Sequence, residues 1–347
     1  MNKPSSPTQA GVFCGIDVSA ETLAVAVIQP DQAIQQREFS NRLSGHKELI
    51  LWLGKSKAMV RVSLEATGTY SLDLALALDA AAHIELAVLN PKLVNRFAQI
   101  LVRSQSDASA ALVLAEYSQR MPFAAWKAPS GQRLQLRALA RHIDALVAQQ
   151  TRELNRLHAL ESSRTAPRAV VADVKRGLAS LARRIGKMRS AARQMIAADT
   201  ELEERFRLLT AMPGIGEISA IQLLGETVLL APGLTVRQWV AHSGLDPAHH
   251  DSGTSVHKRP RISRAGNRHL RRALFMPALA AVRCDPHMKA FYQALQARHK
   301  TKLQALVAVA RKLLHAIYGI FKTRTAYDGN KLFPQLHLAP ELQSASR

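Results

Sequence analysis

Apolar residues recur at alternating spacings of four and three residues along two stretches of this chain, between residues 133 and 209. A repeat of 3.5 residues is typical of coiled coils, because it keeps one apolar stripe along each helix. Each stripe has seven positions, and Gln150 is the one polar residue among them. The first stripe consists of Leu136, Ala140, Ile143, Val147, Gln150, Leu154 and Leu157, and the second of Val174, Leu178, Leu181, Ile185, Met188, Ala192 and Met195. A break at residues 162–167 separates them. The pattern predicts a coiled-coil helical hairpin, residues 126–205, that folds on itself or onto a partner chain.

The positive charge of the chain is confined to its second part. Residues 1–125 hold 11 Lys/Arg and 11 Asp/Glu, whereas residues 126–347 hold 36 and 15 and so carry the whole formal charge of +21. A length of 347 residues allows two or three domains. We therefore predict that chemistry resides in the first part and that the second part binds a polyanion.

Cysteine usage and hydropathy bear on where the protein works. Cys14 and Cys284 fit neither a zinc spacing nor a disulfide framework, which is typical of a reducing cytoplasm. We predict a disordered tail at residues 1–10, no signal peptide there, and no membrane span, because no run of about 18 apolar residues occurs. Aromatic residues make up only 5% of the chain, which does not favour binding to a membrane surface.

Residues 11–125 alternate between short apolar strands and helices, which predicts an α/β domain with a central mixed sheet. Asp17 and Glu65 each close a predicted strand, and Asp107 opens a predicted helix. The predicted strands are 12–18, 22–28, 59–65 and 85–91, and the predicted helices are 43–54, 71–82, 92 to a break at 103–106, and 107 to about 117.

The three acids Asp17, Glu65 and Asp107 are candidate metal ligands. Sites form where strands end at one edge of an α/β sheet. Three carboxylates meeting there would suit two hard divalent cations, which align and activate a phosphodiester. Taken singly, each acid has an ordinary explanation, such as a surface acid for Glu65 and a helix N-cap for Asp107.

Residues 208–220 have the pattern of a helix, a tight Gly-x-Gly turn with Gly214 and Gly216, and a second helix. This pattern resembles the helix-hairpin-helix element. In that element, amides at a helix N-terminus hold a phosphate without reading the sequence of the nucleic acid. An ordinary helical corner is the alternative interpretation.

A serine followed by a dense run of cations forms the most unusual segment. Ser252 precedes Gly253, and no carboxylate occurs between it and Asp285. Seven cations follow the serine closely: Lys258, Arg259, Arg261, Arg264, Arg268, Arg271 and Arg272. Such a density is repulsive unless an anion joins the side chains, and a nucleic-acid backbone has a matching repeat. Ser252 is the candidate nucleophile, Ser243 and Ser255 are alternatives, and a solvated basic loop is the simpler explanation.

The remaining sequence predicts helices at 262–282, with Ser263 as N-cap, at 287–300 and at 301–324, followed by a polar tail at 326–347. Histidines are scattered over this part without the spacing of a ligand set. We therefore expect them to contact phosphate or solvent rather than a metal ion.

Seven motifs, in the same order along the chain, resemble the insertion sequence 110 family of transposases, which are named for an Asp-Glu-Asp-Asp quartet. Three of the motifs resemble the RuvC-like half of that family: residues 15–19, 64–68 and 106–117. The other four resemble its C-terminal transposase domain: residues 212–216, 243–247, 251–253 and 262–271. The resemblance covers roughly residues 11–325. It implies a RuvC-like (RNase H-like) fold for residues 11–125 and a mostly α-helical transposase domain for residues 206–325.

The resemblance also implies a function. It implies a DNA recombinase that moves its own element in the bacterial cytoplasm, at the nucleoid. An element-encoded, structured non-coding RNA pairs with donor and target DNA, and the protein acts as a dimer and as a tetramer on DNA. Carried over by position, Asp17, Glu65 and Asp107 bind Mg²⁺, while Ser252 attacks the DNA phosphate and becomes covalently linked to it. The carboxylates and the serine of one site come from different subunits.

One position departs from the family pattern Lys-Thr-Asp-x-x-Asp-Ala. Residues 105–111 read Gln-Ser-Asp-Ala-Ser-Ala-Ala, so the fourth acid falls on Ala110, which cannot bind a metal. Three interpretations stay open: a weakened copy of the element, a deliberate replacement, or compensation by Glu116. We expect binding of nucleic acid with poor recombination.

Three other functions remain as alternatives. The first is a decayed transposase that only binds nucleic acid. The second is a related site-specific DNA invertase. The third is a junction-selective nuclease, which would use water rather than Ser252 as its nucleophile.

Overall fold

The computed structural model describes residues 11–66, 68, 70–101, 106–252 and 256–334, without the side chains of residues 249–252 and 256–260. The chain forms two compact units, residues 1–128 and 129–347. Their division lies close to the predicted boundary after residue 125. The tail predicted at residues 1–10 lies outside the described residues.

A five-stranded mixed sheet forms the centre of the first unit, in the order β3-β2-β1-β4-β5. Its strands are β1 Val12–Val18, β2 Thr22–Ile28, β3 Ile34–Ser40, β4 Val60–Glu65 and β5 Ile84–Leu89. The pairs β1–β2 and β2–β3 are antiparallel, whereas β1–β4 and β4–β5 are parallel. The predicted α/β class with a mixed sheet is confirmed.

Strand β3 is the one strand of this sheet that the sequence does not predict. Six of its seven residues are exposed, and Phe39 alone is buried. It pairs along its whole length with β2 at the edge of the sheet. Its formation therefore depends on backbone pairing with β2, since an edge strand needs no apolar run of its own.

Four helices cover the sheet: α1 Leu43–Gly54, α2 Leu72–Asp79, α3 Pro91–Leu101 and α4 Asp107–Arg120. Leu49 of α1 and Leu74 of α2 are fully buried in one core with Ile16 of β1 and Leu64 of β4. The four helices agree with the predicted ones to within a few residues, because each has an apolar face of helical period.

The second unit is mostly helical. Its elements are α5 Gly131–Glu161, α6 Arg168–Ala197, α7 Thr200–Thr210, α8 Glu217–Thr227, α9 Val236–Ser243, β6 Pro247–Ser252, β7 Val256–Ile262, α10 Arg268–Ala273, α11 Phe275–Cys284, α12 Pro286–Ala297, α13 Lys302–Thr323 and α14 Gly329–Leu332. Helices α5 and α6 pack against each other, and residues 162–167 separate them as the sequence predicts.

The base of the α5–α6 hairpin belongs to the main core of the second unit. Ile143 of α5 and Ala192 of α6 are buried there with Leu224 of α8. Further along the hairpin, a small separate cluster consists of Leu146, Leu181 and Ile185. Leu154 is 51% exposed. The hairpin thus shares its core with the helices that follow, and the separation predicted after residue 205 has no counterpart in the packing.

Residues 247–262, for which the sequence predicts no strand, contain the two antiparallel strands β6 and β7. Ser252 is the last residue of β6 and pairs with Val256. The segment lacks an apolar alternation, because histidines, cations and small polar residues occupy most of its positions. Backbone pairing between neighbouring strands again produces strands that side-chain patterning does not reveal.

The helix predicted at residues 262–282 begins later than expected. Ile262 is the last residue of β7, and the Ser263 hydroxyl donates to Asp246 (2.6 Å) instead of capping a helix. Asn267 caps α10 by accepting from two backbone amides. Pro277 has no N–H to donate to the residue four positions earlier, and the helix divides at Leu274 into α10 and α11.

The start predicted for the polar tail, residue 326, also needs correction. The Tyr327 hydroxyl donates to Asp285 (2.6 Å), and Phe333 is buried against Phe291 of α12. Residues 327–333 therefore belong to the second unit. The rest of the predicted tail, residues 335–347, lies outside the described residues.

Among the described residues, α13 is the one helix that is long and apolar enough to cross a membrane, by length and composition alone. Half of its most apolar window is buried inside the second unit. Leu313, Leu314 and Ile317 of this helix are core residues. Its place in the core explains why it is apolar.

Candidate active site

Asp17 and Glu65 lie side by side at one edge of the sheet in the first unit. Asp17 is the next-to-last residue of β1 and Glu65 is the last residue of β4. These strands are parallel neighbours, and Ile16 pairs with Leu64 immediately before the two acids. The register of the sheet therefore brings together two carboxylates that are far apart in sequence.

Gly15 allows helix α4 to reach this edge. A Cβ atom on Gly15 would lie 2.1 Å from the Ala111 carbonyl oxygen and 2.2 Å from the Ala115 nitrogen. Only glycine permits the backbone of α4 to lie so close to β1. The glycine before Asp17 thus has a packing role that places the start of α4 beside the carboxylates.

Asp107 is the first residue of α4 and is exposed. The capping function considered for Asp107 belongs instead to Ser106, whose side chain accepts from the Ser109 amide in a reciprocal capping box. Helix α4 therefore does not need Asp107 as its cap. The negative charge of Asp107 raises the pKa of Asp17.

Asp17, Glu65 and Ala110 line one cavity of about 230 Å³. Its other lining residues are Pro91, Val94, Asn95, Ala98, Val113 and Leu114. Ala110 therefore faces the carboxylate pair, at the position where the family pattern has its fourth acid.

Two further residues near this cavity bear on the missing acid. Glu116, the residue considered for compensation, does not line the cavity and is ion-paired with Arg120 (3.2 Å). Sequence reasoning missed Asn95, a polar lining residue whose Oδ1 accepts from Gln99 (3.1 Å). No spacing signal could have identified Asn95, because only the packing of α3 brings it to the cavity.

The carboxylates of this cavity are electrostatically strained. Burial raises the pKa of Asp17, and the negative charge of Asp107 raises it further, against a lowering hydrogen bond from the Val18 amide. Burial and the charge of Asp17 likewise raise the pKa of Glu65. The three charges oppose one another, which is the field that a bound cation would relieve.

The donor set of this site fits a hard divalent ion, but incompletely. Carboxylate oxygens are the ligands that Mg²⁺ prefers, and Asp17 and Glu65 supply them at the cavity, with Asp107 close to Asp17. Ala110 supplies none. Within the described ranges, no group of three or more His, Cys, Asp or Glu side chains is arranged closely enough to hold a metal ion. An ion would therefore have to draw Asp107 inward.

We expect Asp17→Asn to raise the melting temperature of the metal-free protein at pH 7 by about 2–4 °C, because it removes one of the opposing charges. Because the pKa values of Asp17 and Glu65 are raised in the folded protein, their carboxyl groups favour the fold most at low pH, where both are protonated. This contribution to stability is lost as the pH rises through those pKa values and the two groups become charged. Thermal unfolding of both proteins between about pH 4 and 7, with and without Mg²⁺, measures the effect.

The same experiment tests for a metal site. The wild-type protein should gain stability from millimolar Mg²⁺ or Mn²⁺ at pH 7, and Asp17→Asn should not. Asp173→Asn, which removes an exposed acid of the hairpin, is the matched control. A wild-type melting temperature that changes with neither Mg²⁺ nor Mn²⁺ would contradict the assignment of this cavity as a metal site.

The second unit carries the candidate serine. Ser252 is the last residue of β6, and its side chain lies outside the described part of the structure. The alternative Ser243 is fully buried and donates to the Val240 carbonyl (2.7 Å), so it is not available as a nucleophile. The other alternative, Ser255, lies outside the described residues.

The basic cluster contains exposed cations and cations that already have a protein partner, and Arg272 is both. Arg261, Arg264 and Arg268 are exposed. The Arg271 guanidinium donates to the Ser243 carbonyl at the end of α9 (2.7 Å), and Arg272 pairs with Asp144 (3.3 Å). The side chains of Lys258 and Arg259, in β7, lie outside the described part. Binding to nucleic acid therefore rests more on the three exposed arginines than on the last two.

The Gly-x-Gly turn joins α7 and α8 as predicted. Gly214 has a positive φ (89°), and a Cβ there would lie 2.6 Å from the Ala281 nitrogen, so this glycine is needed for packing against α11. Gly216 precedes α8 and is exposed, but Glu217 in the first turn is ion-paired with Arg189. A phosphate at this N-terminus would have to approach beside that acid.

A buried carboxylate, Glu226 of α8, connects the base of the hairpin to the basic helix α10. Glu226 is 4% exposed and accepts two hydrogen bonds from Arg141 (2.6 and 3.0 Å) and one from Asn267 (2.6 Å). Burial alone would raise its pKa, but these hydrogen bonds lower it overall. Because Asn267 also caps α10, Glu226 fixes the start of the helix that follows β7.

We expect Arg141→Met to lower the free energy of unfolding by about 3 kcal/mol, because it leaves the buried Glu226 carboxylate without its ion partner. The low pKa of Glu226 means that this contribution is present near neutral pH and is lost as the pH falls through that pKa. Denaturant unfolding at pH 7 measures it. Arg176→Met, which removes an exposed ion pair with Asp173, is the control and should change little.

Comparison with known proteins gives matches in both units. A transposase family model of the DEDD, IS110 type matches residues 14–161, and a model described as the transposase IS116/IS110/IS902 family matches residues 206–293. The chain is 28% identical to the pilin gene-inverting protein of Moraxella bovis over 324 residues, which cover 91% of this chain and 97% of that protein. It is 34% identical over 154 residues to the insertion element IS110 uncharacterized 43.6 kDa protein of Streptomyces coelicolor, covering 44% of this chain and 37% of that protein.

Proposed function

The chain belongs to the IS110 family of transposases and is a DNA recombinase or transposase, and from this premise we propose that it joins donor and target DNA through a covalent link to Ser252. The observation that carries the proposal is the cavity where Asp17, Glu65 and Ala110 meet. The shared cavity supports the proposal, because it is lined by residues at three of the four quartet positions of the family pattern, and the charge of Asp107 acts on Asp17. We propose that this edge of the sheet is the catalytic centre of a RuvC-like (RNase H-like) domain.

The proposed chemistry is two successive transesterifications. The Ser252 Oγ attacks a DNA phosphorus, a Ser–O–P bond forms, and the bond from phosphorus to one deoxyribose oxygen breaks, so that this oxygen leaves as a hydroxyl with the serine proton. A deoxyribose hydroxyl of the other DNA then attacks the same phosphorus and releases the serine. Neither water nor a nucleotide cofactor is consumed, because each step exchanges one phosphodiester for another.

The residues of the chain have distinct parts in this reaction. Asp17, Glu65 and Asp107 would hold Mg²⁺, which would neutralise negative charge on the phosphate. The family pattern includes a fourth acid, and the complete set of four acids would hold two ions. The exposed Arg261, Arg264 and Arg268 bind the DNA backbone on either side. The carboxylates of one subunit serve the serine of another, so the active form is a homo-oligomer, a dimer or a tetramer on DNA.

We further propose that an element-encoded structured RNA selects the DNA partners by base pairing. The formal charge of +21, carried entirely by residues 126–347, supports binding of a polyanion such as RNA or DNA by this part of the chain. The reaction takes place in the bacterial cytoplasm, at the nucleoid, and involves no membrane.

Expression of the protein with the DNA that flanks its gene, followed by sequencing of the co-purifying nucleic acid, tests this function. A discrete RNA with loops complementary to two DNA sites is the expected result. A mixture that high salt removes would mean binding by charge alone. That outcome would favour the binding-only protein, for which Ala110 is the motivating observation.

A DNA invertase is the second candidate, and the end-to-end match to the pilin gene-inverting protein favours it. An invertase recombines two sites within one molecule and needs no free element end. A plasmid that carries the element's ends in inverted orientation distinguishes the two functions. Inversion without excision or insertion would identify an invertase.

A further inference from the structure

One surface of the second unit combines arginines with exposed apolar side chains. Along α10 and α11, Arg268, Arg272, Phe275, Met276 and Arg283 are exposed. Leu274, between the two helices, keeps right-handed helical backbone angles, so residues three or four apart remain neighbours on one face. We call these five residues the arginine–apolar stripe.

The opposite face of the same helices is in the core. Leu270, Leu274 and Ala278 are completely buried. In contrast, Phe275 is 40% and Met276 is 61% exposed. Two adjacent large apolar side chains left in solvent, on helices whose other face is fully packed, form a patch with no structural purpose inside the unit.

The charge around this patch limits what can cover it. Between Ser252 and Asp285 the sequence contains no carboxylate. Asp285 is buried, accepts a hydrogen bond from the Tyr327 hydroxyl and caps the N-terminus of α12. Asp144, from α5, is engaged with Arg272. The partner must therefore bring negative charge together with flat apolar surface.

A second copy of this chain fits poorly, because the same stripe on each partner would bring two sets of arginines together. A nucleic acid with unstacked bases provides both properties, a phosphate backbone for the arginines and base faces for the apolar side chains. Paired, stacked duplex offers phosphates but no base faces.

We propose that the arginine–apolar stripe binds unpaired nucleobases next to a duplex, with Phe275 and Met276 contacting the base faces and Arg268 and Arg283 the flanking phosphates. The inference rests on the proposed function only in that the protein must bind nucleic acid. It adds the unpaired base as the feature recognised, which strand exchange exposes in DNA and a structured RNA exposes in its loops.

Binding measured by fluorescence anisotropy on three ligands tests the proposal: a fully paired DNA duplex, the same duplex with a three-base bulge, and an RNA hairpin with an open loop. For the double variant Phe275→Ala with Met276→Ala, we expect about 5- to 100-fold weaker binding to the bulged DNA or the RNA loop and little change on paired duplex. Loss on one of these ligands alone identifies whether the bases belong to DNA or RNA.

Matched variants separate stacking from charge and from folding. Arg268→Ala should weaken binding to all three ligands and reduce the salt dependence by about one phosphate contact, whereas the apolar variant should leave the salt dependence unchanged. Phe275→Tyr keeps an aromatic face and should retain affinity. Leu303→Ala, which removes a 62% exposed leucine at the start of α13, should have no effect.

Two results would overturn the proposal. One is equal loss on paired and unpaired ligands, and the other is no loss on any ligand. If the apolar variant instead changes only sedimentation behaviour, the stripe is a contact between copies and the proposal fails. If either result is obtained while the wild-type protein still recombines DNA, the stripe proposal fails and the proposed function stands. If the wild-type protein binds none of the three ligands, the proposed function itself is contradicted.

Discussion

Ser252→Ala should abolish recombination, lowering its rate by at least about 10³-fold, and should remove any covalent protein–DNA adduct. The reason is that the alanine methyl group cannot form the bond to phosphorus on which both transesterifications depend. Denaturing electrophoresis of labelled DNA incubated with Mg²⁺ measures the adduct, and product sequencing measures recombination. Binding to DNA should persist, since β6 and β7 pair through their backbones.

The variant Ser243→Ala is unsuited as a control because Ser243 is buried, whereas Ser255→Ala removes a second hydroxyl three residues from Ser252 in the sequence and should leave recombination unchanged. Cleavage of DNA junctions by Ser252→Ala at the wild-type rate would mean that water is the nucleophile. The protein would then be a junction-selective nuclease rather than a serine-using recombinase.

Ala110→Asp should raise the recombination rate by about 10- to 100-fold and strengthen Mn²⁺ binding, because it adds a carboxylate to the cavity that Asp17 and Glu65 already line. The added charge should also raise the pKa of Asp17 further and lower the stability of the metal-free protein at neutral pH. The gain in activity and the loss of metal-free stability should therefore appear together. Isothermal titration with Mn²⁺ and thermal unfolding measure both without recourse to activity.

Two comparison variants test whether another residue already supplies the missing ligand. Glu116→Gln should leave the wild-type rate unchanged, because Glu116 is paired with Arg120 away from the cavity. Asn95→Ala tests whether the amide that lines the cavity already takes the place of the missing acid. Unchanged recombination and unchanged Mn²⁺ binding in Ala110→Asp would show that residue 110 is not a ligand position.

Much of the fold follows from the sequence for local reasons. Strands β1, β2 and β5 are largely apolar, β4 alternates between apolar and polar residues, and the long helices have apolar stripes of helical period. The break between α5 and α6 coincides with Pro167, the residue that caps the second arm. These signals are local in sequence, so no knowledge of the tertiary structure is needed to read them.

The missed strands show where local signals end. Strand β3 has five exposed residues before Phe39, and nearly half of the residues in β6 and β7 are histidines or cations. Each forms because a neighbouring strand supplies hydrogen-bond partners, and neither buries an apolar face that would mark it. The misplaced start of α10 has a similar cause, since Ser263 is drawn to Asp246 and capping falls to Asn267.

The candidate site divides in the same way. The residues that have the chemistry can be identified without the structure: three acids at element ends, a serine before a glycine, a run of cations and an alanine where an acid is expected. The packing is needed to show that Asp17, Glu65 and Ala110 line one cavity with Asn95, and that Arg271 donates to a backbone carbonyl. This is because the type of a residue fixes which reactions its side chain can take part in, whereas strand register and the close approach of α4 at Gly15 fix which side chains meet.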